Sequence, residues 1–273
     1  MKLITLLLTL FVCLGISMTS AHAQIIVAHR GASADAPENT LSAFNLAWKY
    51  GSDAIEGDFY LTADGQIVCH HDRSTKRTAG VDQDISRTTL AKLKELEFGS
   101  WKGEKFRGEP IPTLDDVLQT VPDGKHILIE IKCGPEIVEP LAKVLNASQL
   151  DDQQLRIICF NANVIRECKK VLPNIKAYWL TGFDEDKATG QIKPTIDEIL
   201  TQLKACQADG LDCHANAKIV DAEFVKQLRA GGYEFHCWTV NDPRDASHFA
   251  ELGVDSITTD TPQAIRQAVN HRE

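Results

Sequence analysis

The sequence predicts an α/β fold, a (β/α)8 TIM barrel. Short β-rich runs alternate with helical stretches from Ile25 onward, and strict alternation of this kind favours a parallel sheet. Eight such units within roughly 250 residues match the length of a (β/α)8 barrel. An open doubly wound sheet is the alternative, but it requires a glycine-rich phosphate loop after the first strand. His29-Arg30-Gly31 is not such a loop.

The strand candidates are short runs of apolar and β-branched residues, each followed by polar or turn-forming residues. In chain order they are residues 25–28, 54–59, 126–132, 155–160, 176–180, 210–213, 233–238 and 256–259. Because each is separated from the next by a helical stretch, we expect all of them to lie parallel in one sheet.

The helix candidates lie between these strands. The first carries Leu41, Phe44 and Trp48 at helical spacing, with Thr40 as a candidate N-cap. A further helix is expected to open at Thr113, and the others are residues 136–145, 164–171, 196–204, 221–229, 243–252 and 262–269. Proline recurs near the first turn of several of these helices, a position that suits a helix start.

Residues 73–112 interrupt the alternation and are interpreted as a small insertion between the second and third β/α units. They hold polar turn residues, one short helical run at 88–97 and the sequence Pro110-Ile111-Pro112. Long ordered loops tend to be functional, so a lid or a substrate wall at one end of the barrel is one interpretation. A plain packing insertion is the other.

The first 23 residues read as a signal peptide. Lys2 precedes an apolar stretch from Leu3 to Ile16, and Ala21-His22-Ala23 has the small-x-small form of a signal-peptidase site. A membrane anchor would need about 20 apolar residues, and this stretch is shorter. We therefore expect an exported protein, periplasmic or secreted, with residues 24–273 forming a single barrel domain and no stable membrane anchor.

The composition is that of an ordinary globular protein. Hydrophobic residues make up 43% of the 273 residues, charged residues make up 25%, and the formal net charge is −9. No basic face or arginine-rich run is present, so no nucleic-acid partner is expected. Seven cysteines remain once Cys13 leaves with the signal peptide, and their spacing matches no metal-binding pattern. The sequence does not define which of the seven cysteines, if any, form disulfides, and the oligomeric state also stays open.

Three acids follow neighbouring predicted strands. Glu56 and Asp58 are two residues apart and therefore point to the same side of their strand, as Glu130 and Lys132 do on the next. The carboxyl ends of the strands are the catalytic face of a barrel. Converging carboxylates repel one another unless a cation lies between them, and an all-oxygen ligand set selects Ca²⁺ or Mg²⁺. The alternative is that these acids pair with lysine or arginine in a solvated barrel mouth.

Two histidines and an arginine complete the predicted site. His29 and His71 can titrate near neutral pH, so one can act as a base while the other acts as an acid. Asp72 follows His71 and could orient it. Arg30 offers a planar fork to phosphate oxygens, and Lys132 offers a point charge. This set suits a metal-assisted attack on a phosphate ester, and the local positive charge is what an acidic protein needs for an anionic substrate.

An ordered set of motifs spans residues 25–268. The motifs are His29-Arg30-Gly31, Pro37-Glu38-Asn39-Thr40, Glu56-x-Asp58, Asp64-Gly65, His71-Asp72, Glu130-x-Lys132, Trp238-Thr239-Val240-Asn241 and the segment 253–262. In this order they resemble the glycerophosphodiester phosphodiesterase family. The sequence departs from the family pattern at Gly57 and Phe59, where bulkier or β-branched residues are common, and His70 doubles the histidine before the aspartate.

The resemblance implies a (β/α)8 barrel that hydrolyses glycerophosphodiesters to glycerol 3-phosphate and an alcohol with a divalent cation. The residues implied are His29 and His71 as the acid/base pair, Glu56, Asp58 and Glu130 as metal ligands, Arg30 and Lys132 as phosphate ligands, and Trp238 in the glycerol or leaving-group pocket. Two alternatives remain: a related barrel phospholipase of the D or phosphoinositide C type, and a non-catalytic protein that binds glycerophosphodiesters. The leaving alcohol, the preferred metal and the nucleophile, either water or a glycerol hydroxyl, stay open.

Overall fold

The computed structural model describes residues 24–270. The expected signal peptide, residues 1–23, lies outside the described residues. In chain order the strands are β1 (Ile25–Ala28), β2 (Ala54–Leu61), β3 (Ile67–Cys69), β4 (His126–Ile131), β5 (Leu155–Cys159), β6 (Lys176–Thr181), β7 (Asp184–Glu185), β8 (Ile192–Lys193), β9 (Gly210–His214), β10 (Glu234–Trp238) and β11 (Ser256–Thr259).

Eight of these strands form a closed parallel barrel. The order around it is β1, β2, β4, β5, β6, β9, β10 and β11, and β1 pairs with both β2 and β11, so the sheet closes on itself. The predicted (β/α)8 fold is therefore confirmed. The barrel strands begin and end within two residues of the predicted positions. The open doubly wound sheet is excluded by the closure.

Three strands lie outside the barrel and were not predicted. The strand β3 pairs antiparallel with the end of β2, and β7 and β8 form a small antiparallel hairpin between β6 and the next barrel strand. All three are only two or three residues long. Segments this short carry too few residues to show the alternation that identifies a strand.

The helices pack around the outside of the barrel. They are α1 (Leu41–Lys49), α2 (Lys76–Ala79), α3 (Leu90–Leu93), α4 (Leu114–Leu118), α5 (Val138–Ala147), α6 (Ala162–Val171), α7 (Ile196–Cys206), α8 (Ala222–Ala230), α9 (Pro243–Glu251) and α10 (Pro262–Asn270). Thr40 caps α1 as predicted, because its side chain accepts a hydrogen bond from the Ala43 N–H. Thr113 and Asp116 form a capping box at the start of α4.

Two apolar layers hold the barrel together. The larger one lies between the strands and the surrounding helices, as the spacing of apolar residues on the helices requires. A smaller one fills the barrel interior and includes Val27, Leu128, Ile158, Tyr178 and Leu180. Residues two apart on a strand share a side. The next interior positions beyond this layer therefore lie at the carboxyl ends of the strands and also face the inside of the barrel.

The residues between β2 and α4 form a compact segment with a core of its own. This core contains Val68, Ile85, Leu93, Phe98 and Ile111, all of them buried. The helical run expected at 88–97 is shorter in the structure and is limited to α3, while 85–87 and 104–106 form single 3-10 turns. The segment therefore folds as a small unit next to the carboxyl end of β2.

All seven cysteines of the described chain carry free thiols, and six of them are buried. Cys159, Cys213 and Cys237 lie in barrel strands and belong to the main apolar layer, as expected for buried small hydrophobic residues. Cys13 lies outside the described residues. Within 24–270, no helix is both long and apolar enough to cross a membrane.

Candidate active site

The three predicted acids meet at the carboxyl end of the barrel. Glu56 and Asp58 of β2 and Glu130 of β4 are buried, and one carboxylate oxygen from each lies within 4.8 Å of the others. Glu56 Oε1 and Asp58 Oδ1 are buried and make no hydrogen bond in the described part of the chain, although Lys132 Nζ lies 3.3 Å from Asp58 Oδ1. Buried carboxylate oxygens that accept no hydrogen bond fit a hard divalent cation, which takes oxygen ligands of this kind.

The electrostatics of the three acids support the same interpretation. Burial raises the pKa of Glu56 well above its usual value, and the neighbouring carboxylates add to this effect. Burial and Asp58 raise the pKa of Glu130 to about 7. Burial also opposes ionisation of Asp58, but Lys132 and Arg30 outweigh it and lower the pKa of that carboxyl. Without further positive charge, the cluster is expected to hold a proton that a metal ion would displace.

Two cations flank the acids. Arg30 Nε lies 3.2 Å from Asp58 Oδ2, and its Nη1 lies 3.1 Å from Glu38 Oε1. Lys132 Nζ lies 2.7 Å from Glu130 Oε1 and 3.3 Å from Asp58 Oδ1. The acids are therefore close to one another and also paired with the two basic residues, so both arrangements considered from the sequence are present in one cluster.

His29 is oriented by an aspartate from the other end of the chain. Its Nδ1 lies 2.6 Å from Asp260 Oδ1, just after the last barrel strand. Ser33 Oγ and Asn241 Nδ2 also donate to Asp260, at 3.0 and 2.6 Å. Burial opposes ionisation of Asp260, but the hydrogen bond and charge of His29, together with the hydrogen bonds from Asn241 and Ser33, outweigh it and lower the pKa of the carboxyl to about 2. Asp260 is thus a carboxylate, and Nε2 of His29 is the nitrogen available for proton transfer.

His71 has a similar partner next to it in the sequence. Its Nδ1 lies 2.7 Å from Asp72 Oδ1, and Arg77 Nε donates to Asp72 Oδ2 at 2.6 Å. Burial opposes ionisation of Asp72, but the hydrogen bonds from Arg77 and His71 lower its pKa to about 2. Each of the two predicted acid/base histidines therefore has its Nδ1 bound to an ionised aspartate.

His70 has a different environment from its neighbour. It is only 4% exposed, its Nδ1 lies 2.6 Å from the Asp72 carbonyl oxygen, and its Nε2 lies 2.7 Å from Thr78 Oγ1. Burial lowers the pKa of the His70 imidazole. Both ring nitrogens are thus engaged inside the protein, which leaves none for a substrate, whereas His71 is partly exposed at the cavity.

One cavity of about 140 Å³ brings the predicted residues together. Seven of the eight line it: His29, Arg30, Glu56, His71, Glu130, Lys132 and Trp238. The eighth, Asp58, lies behind them and pairs with Arg30 and Lys132. A larger cavity of about 920 Å³ lies at the amino ends of the strands and contains none of the eight. The predicted site residues therefore meet at the smaller cavity.

Aromatic rings form one wall of the cavity mouth. Trp238 packs edge-to-face with Phe160 and with His214, with ring centroids 5.6 and 5.5 Å apart. Phe160 is 48% exposed, and Lys132 Nζ lies 6.0 Å from the centroid of its ring. These aromatic rings can therefore contact the apolar part of a substrate or of its leaving group.

Four residues at or next to the site were given no role from the sequence. Asp260 and Asn39 stand inside motifs noted above, but nothing assigned them a role; Asn39 Nδ2 donates to Asp58 Oδ2 at 2.8 Å. Arg77 binds Asp72, and it also donates to both Glu38 oxygens, at 2.9 and 2.7 Å. The fourth, Asp212, is an acid within a buried strand. An acidic residue within an apolar strand is a sequence pattern from which Asp212 could have been predicted to lie at the site.

The comparison with known proteins agrees with this geometry. The family model of the glycerophosphoryl diester phosphodiesterase family matches residues 29–264. The chain belongs to this family. A glycerophosphodiester phosphodiesterase of Caldanaerobacter subterraneus is 32% identical over 246 residues, which cover 88% of this chain and 96% of the relative. A glycerophosphodiester phosphodiesterase of Bacillus subtilis is 28% identical over 254 residues, which cover 87% and 84% of the two chains.

Solved structures of phosphodiesterases share the same barrel. A phosphodiesterase of Oleispira antarctica, solved in complex with the product sn-glycerol-3-phosphate, superposes with a TM-score of 0.79 at 30% identity and covers 90% and 96% of the two chains. The glycerophosphodiester phosphodiesterase of Thermotoga maritima gives a TM-score of 0.72 at 27% identity, covering 90% and 98%. The relatives and structural neighbours of this family member are thus glycerophosphodiester phosphodiesterases.

Proposed function

We propose that the protein hydrolyses glycerophosphodiesters to glycerol 3-phosphate and an alcohol, with a divalent cation, Ca²⁺ or Mg²⁺, held by Glu56, Asp58 and Glu130. The observation that carries the proposal is that this triad lies beside two aspartate-bound histidines at one small cavity, which all five residues except Asp58 line. The family match supports the reaction class, and the glycerol 3-phosphate bound to the Oleispira antarctica neighbour supports the choice of substrate.

The residues divide the chemistry between them. One of His29 and His71 deprotonates the nucleophile and the other protonates the leaving alkoxide, while Asp260 and Asp72 hold their rings through Nδ1. Arg30 binds two phosphate oxygens through its fork, and Lys132 supplies a point charge. A bound divalent cation supplies stabilisation of the negative charge that develops on the phosphate. Trp238 lines the pocket for the glycerol or the leaving group. The nucleophile is either water or the neighbouring glycerol hydroxyl.

Turnover of glycerophosphocholine, with and without EDTA, tests this proposal. We expect release of choline and glycerol 3-phosphate, loss of activity with EDTA and recovery with Ca²⁺ or Mg²⁺. Glu56→Gln should weaken the binding of Ca²⁺ measured by calorimetry and leave the melting temperature of the metal-free protein near that of the wild type. Full activity in a rigorously metal-free sample would contradict the metal site.

The same assay separates the alternatives. A protein that only binds glycerophosphodiesters would show binding without turnover. A phospholipase of the D or phosphoinositide C type would prefer acylated diesters to glycerophosphocholine. We expect the soluble diester to be the better substrate.

We also propose that residues 1–23 are removed during export, since the apolar stretch ends at Ala21-His22-Ala23. Mass spectrometry of the protein recovered from cell fractions tests this. An intact amino terminus in the cytoplasmic fraction would contradict it.

A further inference from the structure

Asp212 is a buried acid that the proposed reaction does not use. It belongs to β9, points into the barrel and is 1% exposed. It lines the same 140 Å³ cavity as His29 and Glu130, yet it is not one of the three acids whose oxygens cluster within 4.8 Å. Its Oδ1 is buried and makes no hydrogen bond with any described residue.

A buried, unpaired carboxyl in this position is expected to lower the stability of the free protein. Within the described chain, no lysine, arginine or histidine lies within ion-pair distance of Asp212, and burial, with a smaller effect of Glu130, raises the pKa of its carboxyl well above the usual value. A leucine would fill the same space without desolvating a polar group. The cost of keeping an acid here indicates that it meets a polar partner when the cavity holds a ligand.

The surroundings of Asp212 limit what that partner can be. The walls of the cavity that Asp212 lines include the apolar side chains of Ile158, Leu180 and Trp238, together with the hydroxyl-bearing Thr258. Trp238 is fixed against this strand, since its Nε1 donates to the Asp212 carbonyl oxygen at 3.3 Å. A phosphate group would be repelled by a carboxylate and has Arg30 and Lys132 elsewhere in the cavity. A neutral group with both hydroxyls and CH surfaces fits this wall.

We propose that Asp212 binds a hydroxyl of the glycerol moiety and thereby selects glycerophosphodiesters over diesters that lack these hydroxyls. The inference rests on the proposed function. A hydroxyl both donates and accepts, so it can pair with the carboxyl whether or not the carboxyl carries a proton. Trp238, Leu180 and Ile158 would then contact the carbon atoms of the glycerol. Sites that hydrogen-bond a substrate hydroxyl discriminate strongly against analogues without it, because their own polar group is otherwise left unpaired.

The test compares two diesters with the same leaving group, glycerophosphocholine and ethyl phosphocholine. In wild type, we expect kcat/KM for the glycerol diester to exceed that for the ethyl diester by at least about 100-fold. Asp212→Leu should reduce this ratio at least about tenfold, through loss of glycerophosphocholine turnover, while ethyl phosphocholine turnover changes little. Leu128→Met, which alters the apolar interior of the barrel away from the cavity wall and changes no hydrogen bond, is the matched control and should preserve the ratio.

Binding of the product gives a second readout that is independent of turnover. Calorimetry should show that Asp212→Leu weakens binding of glycerol 3-phosphate while leaving binding of ethyl phosphate near that of wild type. Asp212→Ala serves as the second variant if the leucine variant does not fold, and melting curves check both.

The inference would be overturned if Asp212→Leu lowered kcat/KM equally for both diesters and weakened binding of both monoesters equally. Such a result would mean that Asp212 supports the fold or the chemical step rather than the glycerol hydroxyl. Unchanged kinetics and binding would overturn it as well. Failure of the proposed function looks different: wild type would turn over neither diester, and the comparison of the two monoesters in binding would still decide the role of Asp212.

Discussion

At the scale of single residues, the two histidines of the site are held in the same way by partners of different origin. Asp260 reaches His29 from the end of the last barrel strand, whereas Asp72 is the neighbour of His71 in the chain. In both cases an ionised carboxylate accepts from Nδ1, which fixes the ring and leaves Nε2 toward the cavity. A pair of imidazoles prepared in this way can exchange the roles of acid and base between the two halves of a displacement.

Substituting the histidines one at a time tests this arrangement. His29→Ala and His71→Ala should each lower kcat by roughly 10²–10⁴-fold, the usual effect of losing a positioned proton donor or acceptor. His70→Ala should lower kcat much less, because its ring binds Asp72 and Thr78 inside the protein, and it should reduce the melting temperature instead. Kinetics with glycerophosphocholine and melting curves measure both effects. A larger kcat loss in His70→Ala than in His71→Ala would show that the register of the motif is off by one.

Arg30 tests whether charge alone is sufficient at the phosphate. Its guanidinium reaches Asp58 and Glu38, and the backbone at this residue is left-handed, with φ of 55°, so that its N–H can donate to Glu56 Oε2 at 2.9 Å. Arg30→Lys keeps the charge but loses the fork. We expect kcat/KM to fall clearly while the melting temperature changes little. Near-wild-type kcat/KM would mean that Arg30 only pairs with Glu38 at the rim.

At the scale of elements, the segment between β2 and α4 contributes to the site through one arginine. Arg77, on the short helix α2, binds the carboxylate that orients His71 and also the carboxylate that pairs with Arg30. The Arg77 side chain thus links His71, proposed to transfer a proton, with Arg30, proposed to bind the phosphate. We therefore predict that the segment supports the site and is more than a packing insertion.

Arg77→Gln tests this link. Loss of the fork frees Asp72 and Glu38 together, and the resulting misplacement of His71 and Arg30 should lower kcat/KM by roughly 10–100-fold. Arg73→Gln is the matched control, since Arg73 pairs with Asp84 within the same segment and should leave kcat/KM within about twofold. Similar losses in the two variants would assign the effect to the fold of the segment.

The elements show what sequence periodicity can and cannot predict. The barrel strands and the outer helices have enough residues to display their period, and Glu56 and Asp58 were recognisable because side chains two apart on a strand share a side. The pairing of His29 with Asp260 spans 231 positions, and no local pattern encodes a contact of that range. Arg77 was missed for a related reason: its two partners come together only once the segment has folded against the barrel.

At the scale of the whole molecule, the two ends of the barrel have different tasks. The carboxyl ends of the strands hold the acids, cations and histidines of the site. The amino ends hold a separate polar group in which Tyr178 and Lys176 donate to Glu234, while His236 Nδ1 lies 2.7 Å from Ser256 Oγ. The apolar interior layer lies between the two ends. In barrel enzymes the amino end contributes to stability rather than to catalysis, so we expect changes there to leave turnover intact.

Glu234→Gln tests this division and predicts a definite pH dependence. Burial opposes ionisation of Glu234, but the nearby His236 imidazole, whose Nε2 lies 3.7 Å from Glu234 Oε2, and the hydrogen bonds from Lys176 and Tyr178 together outweigh it and lower the pKa of the carboxyl in the folded state. A lowered folded-state pKa gives stability that is present above the unfolded pKa and is lost as the pH falls below it. The free energy of unfolding of the glutamine variant should therefore be about 1–2 kcal/mol lower than that of the wild type at pH 7. This difference should shrink below about pH 4.

Glu223→Gln is the matched control, because Glu223 forms an exposed pair with Lys226 on α8 and should change the free energy of unfolding very little at any pH. Denaturant unfolding across pH 3–8, together with kcat for glycerophosphocholine at neutral pH, measures both properties in each variant. If Glu234→Gln lowered kcat while the free energy of unfolding stayed at the wild-type value, the amino end would be coupled to the chemistry, and the division of the barrel into two independent ends would be wrong.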